Sequence, residues 1–481
     1  MSRRLSQAKN ELDQVQPKNK SDGVHVATIP APVQSSADSK IESKSVKQIF
    51  DDVAILDAAR KEAGSKGKST VDPDKTQSRE AHYRLTVAER DPIRGYMMDL
   101  WSFIPYYVAR LCSSLRAESV DTTLGTVRYH LDREYLHKSG LVPDKRLLDF
   151  GGAMHSSFLR RLVKSCEYLV NLFVLGIRFT VFPPDILHVE YLPFLERKMP
   201  FELWFLRWIR HRGIRVVYTV HNVTRQDAPE EGISLFQRAY HAADALICHG
   251  EEARRELIRR FSVAAENVWV IPHGPLFEDV PRLSTFEARA KLGLPQEGPI
   301  VLCAGVISEY KGVPFLLDGW KKLKQAGTKG TLLIAGTGDQ RTLSGIRDKV
   351  EAEGLSDSVL LWLRFIAVEQ LPLLYQAADI LVYPYKAGTT SGALLTGLNY
   401  GKAVIATTLP FFKAYLKDGK TALLVDYGSA GALTSALQTF ILQPDERARM
   451  ADALSREASK APGWPEIARK TRECYEATLA K

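Results

Sequence analysis

The chain has 481 residues, 45% of them hydrophobic, and a formal net charge of +9. That length carries a prior of about three domains, and the apolar fraction supplies a large core. The cationic surplus is diffuse, with no long Lys/Arg block, which argues against a nucleic-acid partner and leaves an acidic membrane surface or an anionic small molecule. Five scattered cysteines (Cys112, Cys166, Cys248, Cys303, Cys474) form no CxxC pair, so neither a disulfide frame nor a zinc ribbon is expected and the compartment reads as reducing. No apolar run reaches the ~18 residues of a membrane span. The start, "MSRRLSQAKNELDQ", lacks the apolar core of a secretory signal. A cytoplasmic location is expected.

Residues 1–80 are polar and rich in Ser, Lys, Asp and Gln. They read as a disordered extension, with one helical pattern at "VKQIFDDVAILDAARKEA". The globular part begins near "HYRLTVAER". Short β-branched runs follow at "DILHVEYLP" (185–193), "IRVVYTVHN" (214–222), "DALICHG" (244–250) and "NVWVIPHG" (267–274). Helix-period segments such as "FELWFLRWIRHRG" separate them. After a pause at 275–290 the pattern restarts, with strands expected at 299–306, 330–338, 358–365, 379–385, "KAVIATT" and 421–427. Strands alternating with helices predict parallel sheets. The fold class is therefore α/β: two doubly wound Rossmann-like domains facing a cleft, 81–278 and 279–460, behind the extension.

In such folds ligands sit at the carboxyl ends of strands. Each early strand of the second half ends in a loop of small or cationic residues. "VISEYKG" carries Lys311, "TGDQR" follows Gly336 and contains Gly338, the two glycines allowing close backbone approach, and "KAGTTSG" opens a helix with Thr389, Thr390, Ser391 and Gly392. Backbone N–H groups at a helix start favour anions, and three such ends on one edge fit a diphosphate. There is no GxxxxGK[ST], HExxH or GxSxG and no dense acidic or His cluster. No metal is expected, and the charge of a departing diphosphate falls to fixed cations, hydroxyls and dipoles.

The collinear set "VLCAGVISEYKGVPFLLDGW", "LLIAGTGDQ", "RFIAVEQLPLLYQAADILVYPY", "SGALLTGLNYGKAVIATTLP" and "DGKTALLVDYG" resembles the donor-binding half of a GT-B glycosyltransferase of family 4. "DILHVEYLP", "VVYTVHNVTRQD" and "VIPHGPLF" are similar to a bacterial polysaccharide-assembly branch of that family. The resemblance covers 180–481 clearly and 84–180 weakly. It implies retaining transfer from a nucleotide-sugar, without metal or other cofactor, to a glycan or lipid-linked acceptor. The donor's own phosphate oxygen would act as base. By position it assigns Gly305 and Lys311 to the donor diphosphate, with Gly336, Gly338 and the 389–392 turn around it. It puts Val306 where an Arg is usual. Gly388 and Thr396 stand where the family carries two Glu residues, leaving Thr396 as a neutral hydroxyl for the ribose.

On the acceptor side the resemblance places His221 in the cleft beside the transferred sugar and names His221 and Lys311 as the catalytic pair. Glu190, Asn222 and His273 are acceptor-side candidates, whereas His188 reads as structural. "APGWPEIARKTRECYEATLAK" (461–481) resembles the family's terminal helix, which crosses back to the first domain. Residues 94–119 and the helix bearing Trp204, Arg207, Trp208 and Arg210 have the mix of a basic amphipathic surface. Peripheral contact with an anionic membrane at its inner face is one reading, a core-facing helix the other. A non-catalytic GT-B scaffold and a sugar-nucleotide epimerase of the same fold stay open as alternatives.

Overall fold

The computed structural model describes residues 92–481 apart from 130, 133–134, 139, 152–156, 224–229, 278–280 and 389. The N-terminal extension, its helical pattern and Thr389 lie outside the described residues.

In the first half the β-branched runs become β1 (Ile93–Asp99), β2 (Val120–Thr126), β3 (Ile186–Val189), β4 (Arg215–Val220), β5 (Ala245–Cys248) and β6 (Val268–Val270). They form one parallel sheet in the order β2-β1-β3-β4-β5-β6. Between them run α1 (Pro105–Ala117), α2 (Ser157–Val181), α3 (Phe201–His211), α4 (Glu230–Ala242) and α5 (Glu251–Phe261). Every residue of β3 is buried, as expected of a parallel strand covered on both faces. One face packs Met98, Leu187 and Val216 beneath α2 and α3. The other packs Met97, Ile186 and Val217 beneath α1.

The second half repeats the scheme with β7 (Ile300–Ala304), β8 (Thr331–Ala335), β9 (Val359–Trp362), β10 (Ile380–Tyr383), β11 (Ala403–Thr407) and β12 (Leu423–Val425), ordered β12-β11-β10-β7-β8-β9 and all parallel. Its helices are α6 (Thr285–Leu292), α7 (Val313–Gln325), α8 (Gln340–Ala352), α9 (Leu371–Ala377), α10 (Gly392–Gly397), α11 (Pro410–Tyr415), α12 (Ala430–Leu442), α13 (Pro444–Ala458) and α14 (Trp464–Leu479). Ser284 starts α6 with a reciprocal capping box to Glu287. Arg289, 4% exposed, is fully partnered: it donates to the carbonyls of Ala377, Gln296 and Gly298 and pairs with Asp379. A buried guanidinium is tolerated only when satisfied in this way, and here it fixes the first helix after the linker to β10.

Helix α14 returns to the first half. The Trp464 indole donates to the Pro275 carbonyl at 2.7 Å, Arg472 donates to the Glu118 carbonyl, and Tyr475 and His188 share a 2.6 Å hydrogen bond. Strand order reverses between β1 and β3 in one sheet and between β7 and β10 in the other. Those two switch points are where open α/β sheets leave crevices.

The interfacial reading of 94–119 is corrected. This segment supplies most of β1 and all of α1, and Tyr107, Leu111, Cys112 and Leu115 are at most 2% exposed. Tyr107, Leu111, Cys112 and Leu115 share a core cluster with Trp464, Ile467 and Tyr475 of α14.

Candidate active site

The loops after β7 and β8 lie edge to edge. Gly305 N–H donates to the Ala335 carbonyl at 3.0 Å and Ile307 N–H to that of Thr337 at 2.7 Å. Gly336 has φ +148°, and a Cβ there would stand 1.8 Å from the Gly305 oxygen. A Cβ on Gly338 would meet the Ile307 oxygen at 2.1 Å. The close approach these glycines permit is between two loops, which sets the floor of the crevice. Val306, in the place of the usual Arg, is 64% exposed on this loop.

Lys311 ends the single turn Glu309–Lys311. Its ammonium sits 3.8 Å from the ring centroid of Tyr385 and 5.2 Å from that of Tyr310. Aromatic faces hold a cation without neutralising it. Among the described residues no carboxylate pairs with it. Burial lowers its pKa, opposed by the neighbouring Tyr310 and Cys303. A desolvated cation with no counter-ion is suited to an incoming anion.

The Tyr385 hydroxyl lies 3.1 Å from Ser391 Oγ, which also accepts the Leu394 N–H at 3.1 Å as the N-cap of α10. Ser391 is therefore committed first to the helix start. Gly388 has φ +144°, so the Glu usual at this position would be strained here. Thr390 is half-buried beside the turn. Thr396, expected to meet the ribose, is 2% exposed.

The first half contributes three imidazoles, each just beyond a neighbouring strand: His221 after β4, His249 after β5 and His273 after β6. His249 Nδ1 donates to the Ile271 carbonyl at 3.0 Å. A carbonyl only accepts, so in neutral His249 Nε2 is the lone pair. His221 Nδ1, 3.0 Å away, then donates to it. That leaves His221 Nε2 as acceptor from Glu190 Oε2 at 2.7 Å, which requires the protonated carboxyl. Burial drives the same assignment. It raises the Glu190 pKa well above its usual value and lowers that of His249 to about 4, while His221 is pushed far down by burial and by the other imidazoles. Glu190 Oε1 has no hydrogen-bond partner among the described residues. It lies 3.4 Å from His188 Nε2, which is itself 2.6 Å from the Thr219 hydroxyl.

His221, expected from the sequence to be catalytic, thus has both ring nitrogens hydrogen-bonded within the protein. His273 differs. Its Nδ1 donates to the Gly274 carbonyl at 2.7 Å. Its Nε2 has no partner among the described residues and lies 3.7 Å from where a Gly392 Cβ would be. Burial lowers its pKa to about 3, so Nε2 is a neutral acceptor facing the start of α10. Asn222 is exposed beyond β4.

The two halves therefore meet. Lys311 lies over Tyr385, Tyr385 bonds Ser391, Gly392 stands against His273, and His273 is joined through the Tyr107 ring (centroids 4.7 and 5.0 Å) to His221. Ala393 at the same turn faces Gly305. Sequence reasoning missed Tyr107, His249 and Trp464, whose ring lies 5.5 Å from Tyr107. The signal available was the repetition "TVHN", "ICHG", "IPHG": three successive strands each delivering a histidine to one edge. Among the described residues no group of three or more His, Cys, Asp or Glu has a metal-holding arrangement.

Two family models match this chain one after the other: Glycosyltransferase Family 4 over residues 104–274 and Glycosyl transferases group 1 over 284–456. D-inositol 3-phosphate glycosyltransferases of Streptomyces scabiei and Streptomyces coelicolor are 28% and 27% identical to it, each over 57% of this chain. The matches cover 64% and 65% of those relatives, so the chain accounts for less than two thirds of their length. In fold it is similar to sucrose-phosphate synthase from Thermosynechococcus elongatus (TM-score 0.63, 18% identity, 81% of this chain and 100% of that one). It is also similar to Anabaena HepE in complex with UDP and glucose (TM-score 0.63, 15% identity, 80% and 100%). With both halves matched, two parallel six-stranded sheets and a cleft between them, the chain belongs to the GT-B glycosyltransferases of the family 4 type.

Proposed function

We propose that this protein transfers a sugar from a nucleotide-sugar to a glycan or lipid-linked acceptor, with retention and without a metal, in polysaccharide or glycoconjugate assembly. The observation that carries this reading is the continuous run from Lys311 through Tyr385, Ser391 and Gly392 to His273, which links a cation and an imidazole nitrogen that, among the described residues, have no carboxylate partner and no hydrogen-bond partner respectively. The HepE structures hold UDP and UDP-glucose, and a nucleotide diphosphate suits the Lys311 end here. The bond from the anomeric carbon to the diphosphate oxygen breaks, and its electron pair leaves with the diphosphate. Lys311 and the N–H groups of the 390–392 turn balance that charge. The acceptor oxygen bonds to the anomeric carbon on the face the diphosphate leaves, and its proton passes to a phosphate oxygen. His273 Nε2 accepts from a sugar hydroxyl and orients it. With a lipid-linked acceptor the protein works in peripheral contact with the cytoplasmic face of a membrane.

The test is a thermal-shift panel of UDP-, GDP-, ADP- and dTDP-sugars. A bound donor raises the apparent stability by mass action, and one base should stand out. A flat panel, together with no turnover of any donor, would leave the scaffold alternative.

A further inference from the structure

Helix α2 spans 25 residues, about 37 Å at 1.5 Å per residue. Its inner face is core: Tyr168, Leu172, Leu175 and Phe179 are buried. Its outer face is also apolar. Leu162, Phe173, Ile177 and the following Phe182 are 54%, 69%, 57% and 72% exposed. Trp204 and Trp208 of α3 stand beside this stripe, also exposed, and the two helices enclose an open apolar groove of about 490 Å³. Large contiguous apolar patches on a protein surface mark a partner.

The unpaired charge beside the patch is positive. α2 carries Arg160, Arg161, Lys164 and Arg178, and α3 carries Arg207 and Arg210; of these Lys164 is buried, and Arg178 and Arg210 pair with Asp144 and Asp244. The acids of the two helices are Glu167 and Glu202, both buried and both spent on backbone N–H groups: Glu167 on Phe150 and Gly151, Glu202 on Phe194 and Leu195. Arg161 and Arg207 are exposed and have no carboxylate partner among the described residues. A second copy of the chain would set this cationic rim against itself. An anionic bilayer meets both features at once: phosphates for the arginines, and the headgroup boundary for tryptophan and phenylalanine.

The stripe is also aimed. Lys164 near the start of α2 donates to the carbonyl of Trp101, two residues past β1, at 2.6 Å, whereas the end of α2 leads through Phe182 into β3. α2 therefore starts at the carboxyl edge of the sheet, where the histidines lie. Among the described residues no helix is long and apolar enough to cross a membrane, so contact would be along this face.

We propose that the α2–α3 face docks on an anionic lipid bilayer, lying in its interface and presenting the cleft edge to the headgroups. This deepens the proposed function and rests on its membrane-side part. The test is co-sedimentation of the full chain with phosphatidylcholine vesicles, with and without phosphatidylglycerol. Binding is expected only with the anionic lipid, and weaker as salt rises. Phe173→Ser/Ile177→Ser and Arg161→Glu/Arg207→Glu should each lower vesicle affinity about tenfold or more. Both should keep the nucleotide-sugar thermal shift of the parent protein, which shows that they fold. Unaltered vesicle binding by both variants overturns the proposal, as does equal binding to neutral vesicles. So does sedimentation velocity showing a dimer of the parent chain that these variants dissolve. A flat donor panel with vesicle binding intact would sink the transfer reaction and leave the docking face standing.

Discussion

Glu190 and His221 share a 2.7 Å hydrogen bond in which the carboxyl donates and the imidazole accepts. The direction is imposed through His249, 28 residues on in sequence, by the backbone carbonyl of Ile271. Both partners are neutral because the site is buried on every side. Glu190 is thus a positioning residue: it holds a ring that cannot itself reach a substrate with a free nitrogen.

Glutamine keeps both the shape of this contact and an N–H to donate. Glu190→Gln should stay within about 1 kcal/mol of the parent protein in urea unfolding, whereas Glu190→Ala should lose about 3 kcal/mol by leaving a cavity and an unpaired imidazole. Were Glu190 a carboxylate facing an imidazolium, Gln would be as damaging as Ala, and that outcome would refute the neutral pair.

The histidines set an acid limit. His188, His249 and His273 are held to about 3, 4 and 3 by burial, against about 6.5 in an unfolded chain. A depressed pKa gives stability that is full above pH ~6.5 and lost as pH falls toward the folded value. Glu190 has the opposite sign: its raised pKa gives stability full below pH ~4.5 and lost as pH rises. Between pH 6.5 and 4.5 these histidines, with the likewise depressed His221, oppose three raised carboxyls, Glu190, Glu202 and Asp99, each proton counting about 1.4 kcal/mol per pH unit, so one histidine's share is read by removing it. His273→Gln should flatten the stability slope in that window by about one proton relative to the parent. Parallel slopes for the two proteins would show that His273 is not held neutral.

Most of the scaffold is legible in the sequence because parallel strands buried on both faces leave continuous apolar runs. "PIVLCAGV" and "DILVYPY" become β7 and β10 within a few residues. β1 and β2 are not legible. "IRGYMMD" and "VDTTLGT" are weak apolar runs whose burial comes from pairing with each other and with β3. α2 is hidden by its apolar outer face, which blurs the amphipathic pattern. In the site, Lys311 and the 390–392 turn are readable as strand-end chemistry. That His273 rather than His221 keeps a ring nitrogen without a partner among the described residues is not, because it depends on which nitrogens neighbours occupy.

Lys311 should matter to chemistry more than to folding. Lys311→Ala removes a contact that strengthens as the diphosphate departs, and kcat for the nucleotide-sugar should drop about tenfold to a hundredfold, with KM raised less. Lys311→Arg keeps charge but has to fit a planar group over Tyr385, so it should restore part of the rate. Steady-state kinetics with the donor varied measures both. An unchanged kcat in Lys311→Ala would remove the residue from the mechanism.

Ser391 and Gly336 should fail differently from Lys311, since each is bound up with the local framework. Ser391→Ala deletes the cap of α10 and the partner of the Tyr385 hydroxyl, and should cost about 1 kcal/mol. Gly336→Ala drives a methyl into the Gly305 oxygen from a backbone angle of +148°. It should cost more than the cap, about 2–4 kcal/mol, because a backbone carbonyl has to move. Since Gly305 also faces Ala393 of α10, that movement reaches the phosphate-facing turn, and donor affinity should fall along with stability. Urea unfolding and donor titration on the same two variants separate the effects: Ser391→Ala loses stability first, and Gly336→Ala loses both. A Gly336→Ala protein with parental stability and donor affinity would show that the loops after β7 and β8 are not locked edge to edge.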